Sequence, residues 1–440
     1  MEPGYQQIQG AGRTGEIILE VKIYFMKALQ ENIYFNLIIF YCKIMCLFIL
    51  LFITLAKTNF IMASNDPWKN ERWLPGVVNK RQMIALHEAH LILDVDVTTI
   101  DNDASALDLH LSSEAYVLKK GSIKPVKKNY KKILSDSYYA EKYTPLENNT
   151  FLLEKGHCYI FKIKEKIHQY IKQTHFFGQS TAKSTVGRVD LIARLIVDGM
   201  SEYENFTPDS ISSGDLYLEI TPITFNVKVR EGDSLCQLRF FYGEIENSII
   251  RDKDFFKSIL NLDSESNLGT LSVDLESDKS VSASAFQAKN DIGTPIELWE
   301  KHKYEAAEFW DAKISDENLG LKSITIEQNR FYILRSKERL SLPPSVCIYC
   351  RAMDESLGEM RIHYAGFVHP HFGLNRSDGK EGAPLIFEVR GHNVDVLLTD
   401  AEILARLYIY RMSEHAPALA GATSYSNQEL TLSRAFKNWK

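Results

Sequence analysis

The sequence predicts a mainly β protein built from two tandem copies of one domain, with a hydrophobic N-terminal extension and a partly helical connection. Similar segments recur in the same order: 111 residues separate Asp108 from Glu219, and 114 residues separate Asp274 from Glu388. A repeated unit of this length indicates two copies of a domain and not a short-period solenoid. Short alternating runs such as C-Y-I-F-K-I and F-N-V-K-V, separated by turn residues, are typical of β domains.

Composition limits the classes of function that the chain can serve. Its 440 residues allow two or three domains, and 45% hydrophobic and 25% charged residues are ordinary values for a globular protein. A net charge of −6 argues against binding to large nucleic acids, although a local basic groove for phosphate is compatible with it. Six cysteines are too few for a disulfide framework in a chain this long, so we expect a reducing compartment, the cytoplasm.

Two of the cysteines, Cys347 and Cys350, form a C-x-x-C motif. They fall in a segment that predicts a strand, where residues three apart point to opposite faces. We therefore expect neither a metal site nor a redox centre at this motif.

Residues 1–62 form an extension with a hydrophobic segment at 33–56, in which Lys43 is the only charged residue. The length of this segment suits a membrane span. Two interpretations are open: the extension is dispensable or foreign to the working protein, or the segment anchors the protein to a membrane. A more polar stretch begins at Met62, as expected if the working protein starts there.

The rest of the chain divides by its sequence pattern. We predict a first domain at 76–245, a connection at 246–320, a second domain at 321–412 and a tail at 413–440. The connection is more charged, and its runs D-K-D-F-F-K-S-I-L and E-L-W-E-K-H-K-Y-E-A-A-E-F-W predict helices. It also contains the first strand of the second copy, near 272–275.

One polar segment, K-S-T-V-G-R, occurs only in the first copy. It brings the cations of Lys183 and Arg188 close to the hydroxyls of Ser184 and Thr185. Cations, hydroxyls and backbone N–H groups together are suited to hold phosphate. The alternative is a loop whose charges face water.

A carboxylate in a predicted strand is the candidate proton carrier. In L-Y-L-E-I-T-P, alternation places Leu216, Leu218 and Ile220 on one face and Glu219 on the other. Glu219 faces either water or a cleft, and an apolar cleft would raise its pKa and suit it to general acid–base catalysis. Glu388 occupies the corresponding position in the second copy.

Taken together, these motifs resemble those of the dCTP deaminases of the dUTPase-like superfamily, in particular the long, duplicated bacterial form. K-S-T-V-G-R is similar to the family's arginine–serine–serine motif, and L-Y-L-E-I is similar to its strand with the catalytic glutamate. A-L-D-L-H-L, around Asp108, resembles the family's opening strand, and Y-S-N-Q-E-L-T-L-S-R resembles its tail. The resemblance covers residues 76–440 and implies two tandem dUTPase-like β-barrel or β-clip domains.

The resemblance also implies an activity, the hydrolytic deamination of dCTP to dUTP and ammonia, which feeds dUMP and dTTP synthesis. In that reaction Glu219 is the general acid–base, and Ser184 and Arg188 position and polarise the attacking water. Four further residues are expected to bind the nucleotide: Lys183, Thr185, Tyr425 and Gln428. We expect Mg²⁺ on the substrate triphosphate and no zinc, because the H-x-E and P-C-x-x-C motifs of zinc deaminases are absent in that form.

Some residues depart from the family pattern. Lys183 replaces an arginine, which preserves the charge but loses bidentate geometry. The second copy has R-A-M-D-E-S in place of the polar motif and lacks its serine and second arginine. We therefore expect one working site per chain, built around the first copy, which the second copy or a neighbouring chain could complete. Glu388 is then expected to be structural, and relatives with one copy imply self-association.

Two other classes of function are open. The first is a dUTP pyrophosphatase or a bifunctional deaminase-pyrophosphatase, although the tail lacks the Gly-rich phosphate-closing motif of that family. The second is a non-catalytic regulator that binds nucleotides at a degenerate site.

Overall fold

The chain forms two compact units, Met1–Asp66 and Pro67–Lys440. The structure is a computed structural model, and it describes residues 22, 26, 27, 40, 41, 43–46, 66–100, 104–125, 129–260, 269–353, 360–363, 366–418 and 427–439. Among these residues, no helix is long and apolar enough to cross a membrane. Most of the hydrophobic segment 33–56 lies outside the described residues, so its role stays a prediction.

Strands dominate the second unit. The first copy contributes β1 (Gly76–Val77), β2 (Ile92–Leu93), β3 (Leu107–Leu118), β4 (Ala140–Lys142), β5 (Thr150–Leu153), β6 (Tyr159–Ile163), β7 (Lys166–Ile167), β8 (Phe176–Ala182), β9 (Leu191–Val197), β10 (Asn205–Phe206), β11 (Leu216–Pro222), β12 (Val227–Arg230) and β13 (Ser234–Tyr242).

The connection and the second copy contribute the remaining described strands: β14 (Ile249–Ile250), β15 (Thr270–Asp274), β16 (Ala285–Ala288), β17 (Ile296–Glu297), β18 (Trp310–Lys313), β19 (Asp316–Asn318), β20 (Leu321–Ile326), β21 (Phe331–Leu340), β22 (Val346–Ala352), β23 (Met360–His363), β24 (Phe367–Val368), β25 (Ala383–Gly391), β26 (Val396–Thr399) and β27 (Ile403–Arg411).

Helices in the second unit are short. The α-helices are Pro67–Asn70, Lys80–Glu88, Tyr130–Leu134, Ser184–Gly187, Lys253–Leu260 and Ala306–Phe309. The 3₁₀ turns are Val97–Thr99, Glu147–Asn149, Gln169–Gln173, Pro208–Ser210 and Ile245–Ser248.

The two copies have the same strand order. Neighbouring strands pair in the series β8-β13-β3-β6-β11-β9 in the first copy and in the series β22-β27-β15-β21-β25-β23 in the second. Glu219 of β11 pairs with Ile160 of β6, and Glu388 of β25 pairs with Ile333 of β21. The predicted fold class, mainly β with two tandem domains, is confirmed.

An apolar contact joins the copies. Phe241 of β13 packs edge-on against Tyr410 of β27, with ring centroids 5.0 Å apart. Val77, Cys347 and Met412 complete this buried cluster. Removal of such side chains from water is the main favourable contribution to packing. The contact therefore fixes which surfaces of the two copies meet.

The C-x-x-C motif has the geometry that a strand predicts. Both cysteines lie in β22 and are buried. Cys347 packs in the cluster between the copies, whereas Cys350 packs in the core of the second copy. The two thiols therefore point to opposite faces of the sheet.

One predicted helix of the connection is wrong. Helix Lys253–Leu260 forms as expected, but the later run contains strand β17, a turn, the one-turn helix Ala306–Phe309 and strand β18. Phe309 and Trp310 both pack on Phe225 of the first copy. These tertiary contacts outweigh the helical spacing of the local sequence.

Candidate active site

A cavity of about 290 Å³ lies where the two copies meet. Side chains from both copies and from the tail line it. The polar and charged ones include Asp108, Lys183, Ser184, Thr185, Arg188 and Gln237 from the first copy, His369 and Glu388 from the second, and Gln428 and Arg434 from the tail.

The polar segment of the first copy forms a single helical turn at the end of β8. Lys183 caps the turn, and its carbonyl accepts hydrogen bonds from the N–H groups of Val186 at 2.9 Å and Gly187 at 3.2 Å. The Arg188 N–H donates to the Ser184 carbonyl at 3.1 Å. Residues four apart lie on one face of a helix. The turn therefore presents Ser184 and Arg188 to the cavity together.

Glu388 faces this turn from the second copy. It lies near the middle of β25, its side chain is 5% exposed, and it lines the cavity. A Cβ placed on Gly187 would lie only 2.1 Å from Glu388 Oε2. Within the described part of the chain, the Glu388 carboxyl makes no hydrogen bond. Glycine at position 187 thus allows the carboxyl to approach the turn.

Burial raises the pKa of Glu388 to about 8. The positive charge of Arg188 lowers this pKa, and the negative charge of Asp190 raises it. An apolar environment disfavours the ionised form of a carboxyl group, and this desolvation is the largest cause here. Glu388 is therefore protonated at neutral pH and can lose its proton slightly above it.

The tail contacts the same turn. Arg188 Nη2 donates to Gln428 Oε1 at 2.7 Å, and Gln428 Nε2 donates to the Pro384 carbonyl at 2.8 Å. Arg188 and Gln428 are each 8% exposed. Ser433 Oγ donates to the Thr185 carbonyl at 3.1 Å. The predicted proximity of Gln428 to the polar motif is observed, whereas Tyr425 lies outside the described residues.

A ring of cations holds the tail next to Gln428. The Glu429 carboxylate accepts hydrogen bonds from Arg339 and Arg376, each at 2.8 Å, and from Lys380 at 3.0 Å. Burial raises the pKa of Glu429, but the hydrogen bonds and charges of Arg339 and Lys380 together lower it below its ordinary value. Charge-assisted hydrogen bonds of this kind are stronger than neutral ones. The ring fixes the segment that delivers Gln428 to the cavity.

The Lys183 ammonium group is less available to bind phosphate than the sequence suggests. Its ammonium group forms a salt bridge with Asp108, which also accepts a hydrogen bond from Gln237 Nε2 at 3.0 Å. The Lys183 and Asp108 side chains are 24% and 34% exposed. Part of the positive charge of Lys183 is thus neutralised at the cavity.

Glu219 lies outside the residues that line this cavity. Ser122 Oγ donates to its carboxylate at 2.7 Å, the Ile123 N–H donates at 3.2 Å, and Tyr203 Oη contacts both oxygens at 3.2 Å. The pKa of Glu219 is raised above its ordinary value, because burial raises it by more than these hydrogen bonds lower it. The sequence placed Glu219 beside Ser184 and Arg188, and the structure places Glu388 there instead.

The reason for this difference is the way the copies dock. β11 and β25 are equivalent strands, so alternation along either strand predicts a glutamate on one face. At Gly187, the turn after β8 contacts the glutamate of the other copy, and the cavity lining includes Glu388 and not Glu219. Sequence pattern within one copy carries no information on this exchange.

His369 also lines the cavity, although no role for it follows from the sequence motifs. Its Nδ1 accepts a hydrogen bond from the Ser105 N–H at 3.2 Å, and Ser105 Oγ lies 2.9 Å from the same atom. Burial and the nearby Arg239 charge lower the pKa of His369 to about 3. The imidazole is therefore neutral, and its remaining proton is on Nε2.

Comparison with known proteins identifies the family. Residues 74–244 match the family model for the N-terminal domain of 2'-deoxycytidine 5'-triphosphate deaminase, and residues 250–436 match the model for its C-terminal domain. The chain belongs to the dCTP deaminase family. This membership confirms the resemblance and makes the chain an enzyme that deaminates dCTP.

A solved dCTP deaminase has a similar fold. The crystal structure of 2'-deoxycytidine 5'-triphosphate deaminase from Agrobacterium tumefaciens superposes with a TM-score of 0.67 and 24% sequence identity, over 78% of this chain and 97% of that chain. No curated protein sequence matches the chain.

Proposed function

We propose that this dCTP deaminase carries out its reaction in the cavity between the copies, with Glu388 as the proton carrier and dUTP and ammonia as products. The observation that supports this most strongly is the position of Glu388. Its carboxyl is buried beside Arg188, lines the cavity and has a pKa of about 8. A catalytic group with a pKa near the working pH can both give and accept a proton.

The proton transfers balance around this one carboxyl. Glu388 donates its proton to N3 of the cytosine as water adds to C4, and the carboxylate then takes a proton from that water. It next donates this proton to the amino group, which leaves as ammonia. The proton of the C4 hydroxyl returns to Glu388 as the C4 carbonyl forms. The net change is the addition of one water and the loss of one ammonia.

Ser184 and Arg188 are suited to hold the water that attacks C4. They lie on one face of the turn that contacts Glu388, so the water would sit between a donor group and the proton acceptor. Developing negative charge on the water oxygen would be stabilised by the Arg188 guanidinium. Loss of one such donor typically lowers turnover by about 10²–10³.

The cations of the cavity fit a triphosphate. Lys183, Arg188 and Arg434 all line it, together with the Thr185 hydroxyl. This donor set suits phosphate oxygens better than it suits a metal ion, so Mg²⁺ would be held by the triphosphate itself. Bound there, Mg²⁺ would neutralise phosphate charge. Gln428 and Tyr425 would then close the tail over the nucleotide.

The predicted role of Glu219 is the alternative for the same reaction. Four hydrogen bonds already engage its carboxylate, which favours a structural role. We therefore assign the role of proton carrier to Glu388 and not to Glu219. A cytoplasmic location, self-association and independence from zinc stay part of the proposal on the sequence arguments.

Incubation of the full-length protein with dCTP and Mg²⁺ tests the proposed products. Release of ammonia with stoichiometric dUTP is the expected result. Formation of dUMP and pyrophosphate would indicate the pyrophosphatase or the bifunctional alternative. Binding of dCTP without ammonia release would identify a nucleotide-binding regulator and would contradict the proposal.

A further inference from the structure

A second contact between the copies involves residues close in sequence to Arg188 and Glu388. Asp190, two residues after Arg188, forms an ion pair with Arg390, two residues after Glu388. Thr224 joins the pair, since its hydroxyl accepts from Arg390 and donates to Asp190. Asp190 is fully buried. An ion pair thus joins the two copies two residues beyond Arg188 in one copy and two residues beyond Glu388 in the other.

The backbone fixes both members of this ion pair. Asp190 has a φ of 56°, its N–H donates to the Gly187 carbonyl at 2.8 Å, and its carbonyl accepts from the Ile223 N–H at 3.0 Å. Arg390 shares β25 with Glu388, and residues two apart in a strand point to the same face. The ion pair therefore sets the distance between β25 and the polar turn.

From this arrangement we infer that Asp190 and Arg390 are positioning residues, which hold Glu388 against Arg188 and balance the charge around its carboxyl. The inference rests on the proposed role of Glu388 and adds two residues to which sequence motifs gave no role. Neither residue lines the cavity, so neither is expected to touch the substrate.

The charges that face Glu388 explain how the pair acts. Arg188 and Asp190 reach it from the first copy, and Arg390 and the Cys350 thiol lie near it in the second. Asp190 raises the pKa of Glu388 even with Arg390 at its side. Loss of the Asp190 charge should lower the pKa of Glu388, whereas loss of the Arg390 charge should raise it, because Asp190 would then be unneutralised.

Three full-length variants test this inference: Asp190→Asn, Arg390→Gln and the double variant. Titration of the Glu388 carboxyl is followed by infrared difference spectroscopy in substrate-free protein, with Glu388→Gln as the subtraction reference. The pH profile of kcat/KM for dCTP is measured in parallel. Asp291→Asn is the matched control, since Asp291 pairs with Lys155 on the surface and its side chain is 89% exposed.

The expected result is a shift of opposite sign in the two single variants. Asp190→Asn should move the titration down by about one pH unit, Arg390→Gln should move it up by a similar amount, and the double variant should return towards wild type. The control should not shift. Shifts of the same sign in both single variants, or no shift in either, would overturn the inference, because a purely structural pair predicts loss of stability without this pattern.

The test also gives a clear result if Asp190→Asn does not fold or if the wild-type protein is inactive. If Asp190→Asn does not fold, Arg390→Gln and the charge-preserving Arg390→Lys are compared: an upward shift only in Arg390→Gln supports the inference, and equal titrations overturn it. If the wild-type protein releases no ammonia from dCTP, the proposed function fails, but the infrared titration still decides whether the ion pair tunes Glu388.

Discussion

The carboxyl of Glu388 lies against the bare Cα of Gly187, so that a Cβ at Gly187 would be 2.1 Å from Glu388 Oε2. Gly187 belongs to a motif found only in the first copy, and Glu388 belongs to the second. The site is therefore shared between the copies. The first copy has its own strand glutamate, Glu219, but the glutamate that lines the cavity beside the polar motif comes from the second copy.

Gly187→Ala should push the polar turn of the first copy away from the Glu388 carboxyl of the second copy. Real Cβ atoms essentially never approach another heavy atom as closely as 2.1 Å, so either Glu388 or the turn must move. A misplacement of about 1 Å can lower turnover by about 10². We expect a loss of that order in kcat/KM for dCTP. In Gly293→Ala, the matched control, the new Cβ meets no described atom within 4 Å, and activity should be unchanged. Full activity in Gly187→Ala would show that the contact is not needed.

Gln428→Ala should weaken the hold of the tail on Arg188. The variant removes the acceptor that lies 2.7 Å from Arg188 Nη2. A buried charged donor that loses a hydrogen-bond acceptor costs about 1–3 kcal/mol, which corresponds to a decrease of roughly 5- to 150-fold in kcat/KM. Steady-state kinetics with dCTP measure the effect. Gln328→Ala, at an exposed position, serves as the control and should behave as wild type.

The pH profile should reveal a carboxyl group that titrates at high pH. The proposed first step needs protonated Glu388, and its pKa is about 8. Since kcat/KM reports the free enzyme, it should decrease as the pH rises through about 8. Rates measured from about pH 6 to about pH 10 locate the change. A profile that stays flat across this range would exclude Glu388 as the acid.

Glu429→Gln should destabilise the tail in a pH-dependent way. Burial raises the pKa of Glu429, but Arg339 and Lys380 together lower it below 4.5, so the ion pairs of Glu429 stabilise the fold above pH 4.5. Breaking a half-buried charged hydrogen bond costs about 1–3 kcal/mol. Urea unfolding near neutral pH should show a loss in that range for the variant. The difference from wild type should shrink as the pH falls below 4.5; a loss independent of pH would contradict this explanation.

The sequence predicts the duplicated fold well because strand alternation and repeat spacing are local properties. Both Glu219 and Glu388 lie on the strands where the pattern places them, and Gln428 lies beside the polar motif. The pairing of one copy's turn with the other copy's strand depends on surfaces such as Phe241 on Tyr410, 169 residues apart. No local pattern encodes that contact.

Contacts between residues distant in sequence also explain two further differences between the predictions and the structure. Asp190 and Arg390 are ordinary charged residues in sequence, and only docking of the copies pairs them. The predicted helix before Trp310 fails because aromatic contacts with Phe225 outweigh local helical spacing. In each case a residue distant in sequence decides the outcome.

The most direct test of the shared site compares Glu388→Gln with Glu219→Gln in dCTP deamination. Both substitutions keep the shape of the side chain and remove its ability to carry a proton. Glu388→Gln should lower turnover by about 10²–10⁴, and Glu219→Gln should keep most of it despite some loss of stability. Wild-type turnover in Glu388→Gln together with an inactive, folded Glu219→Gln would contradict the account.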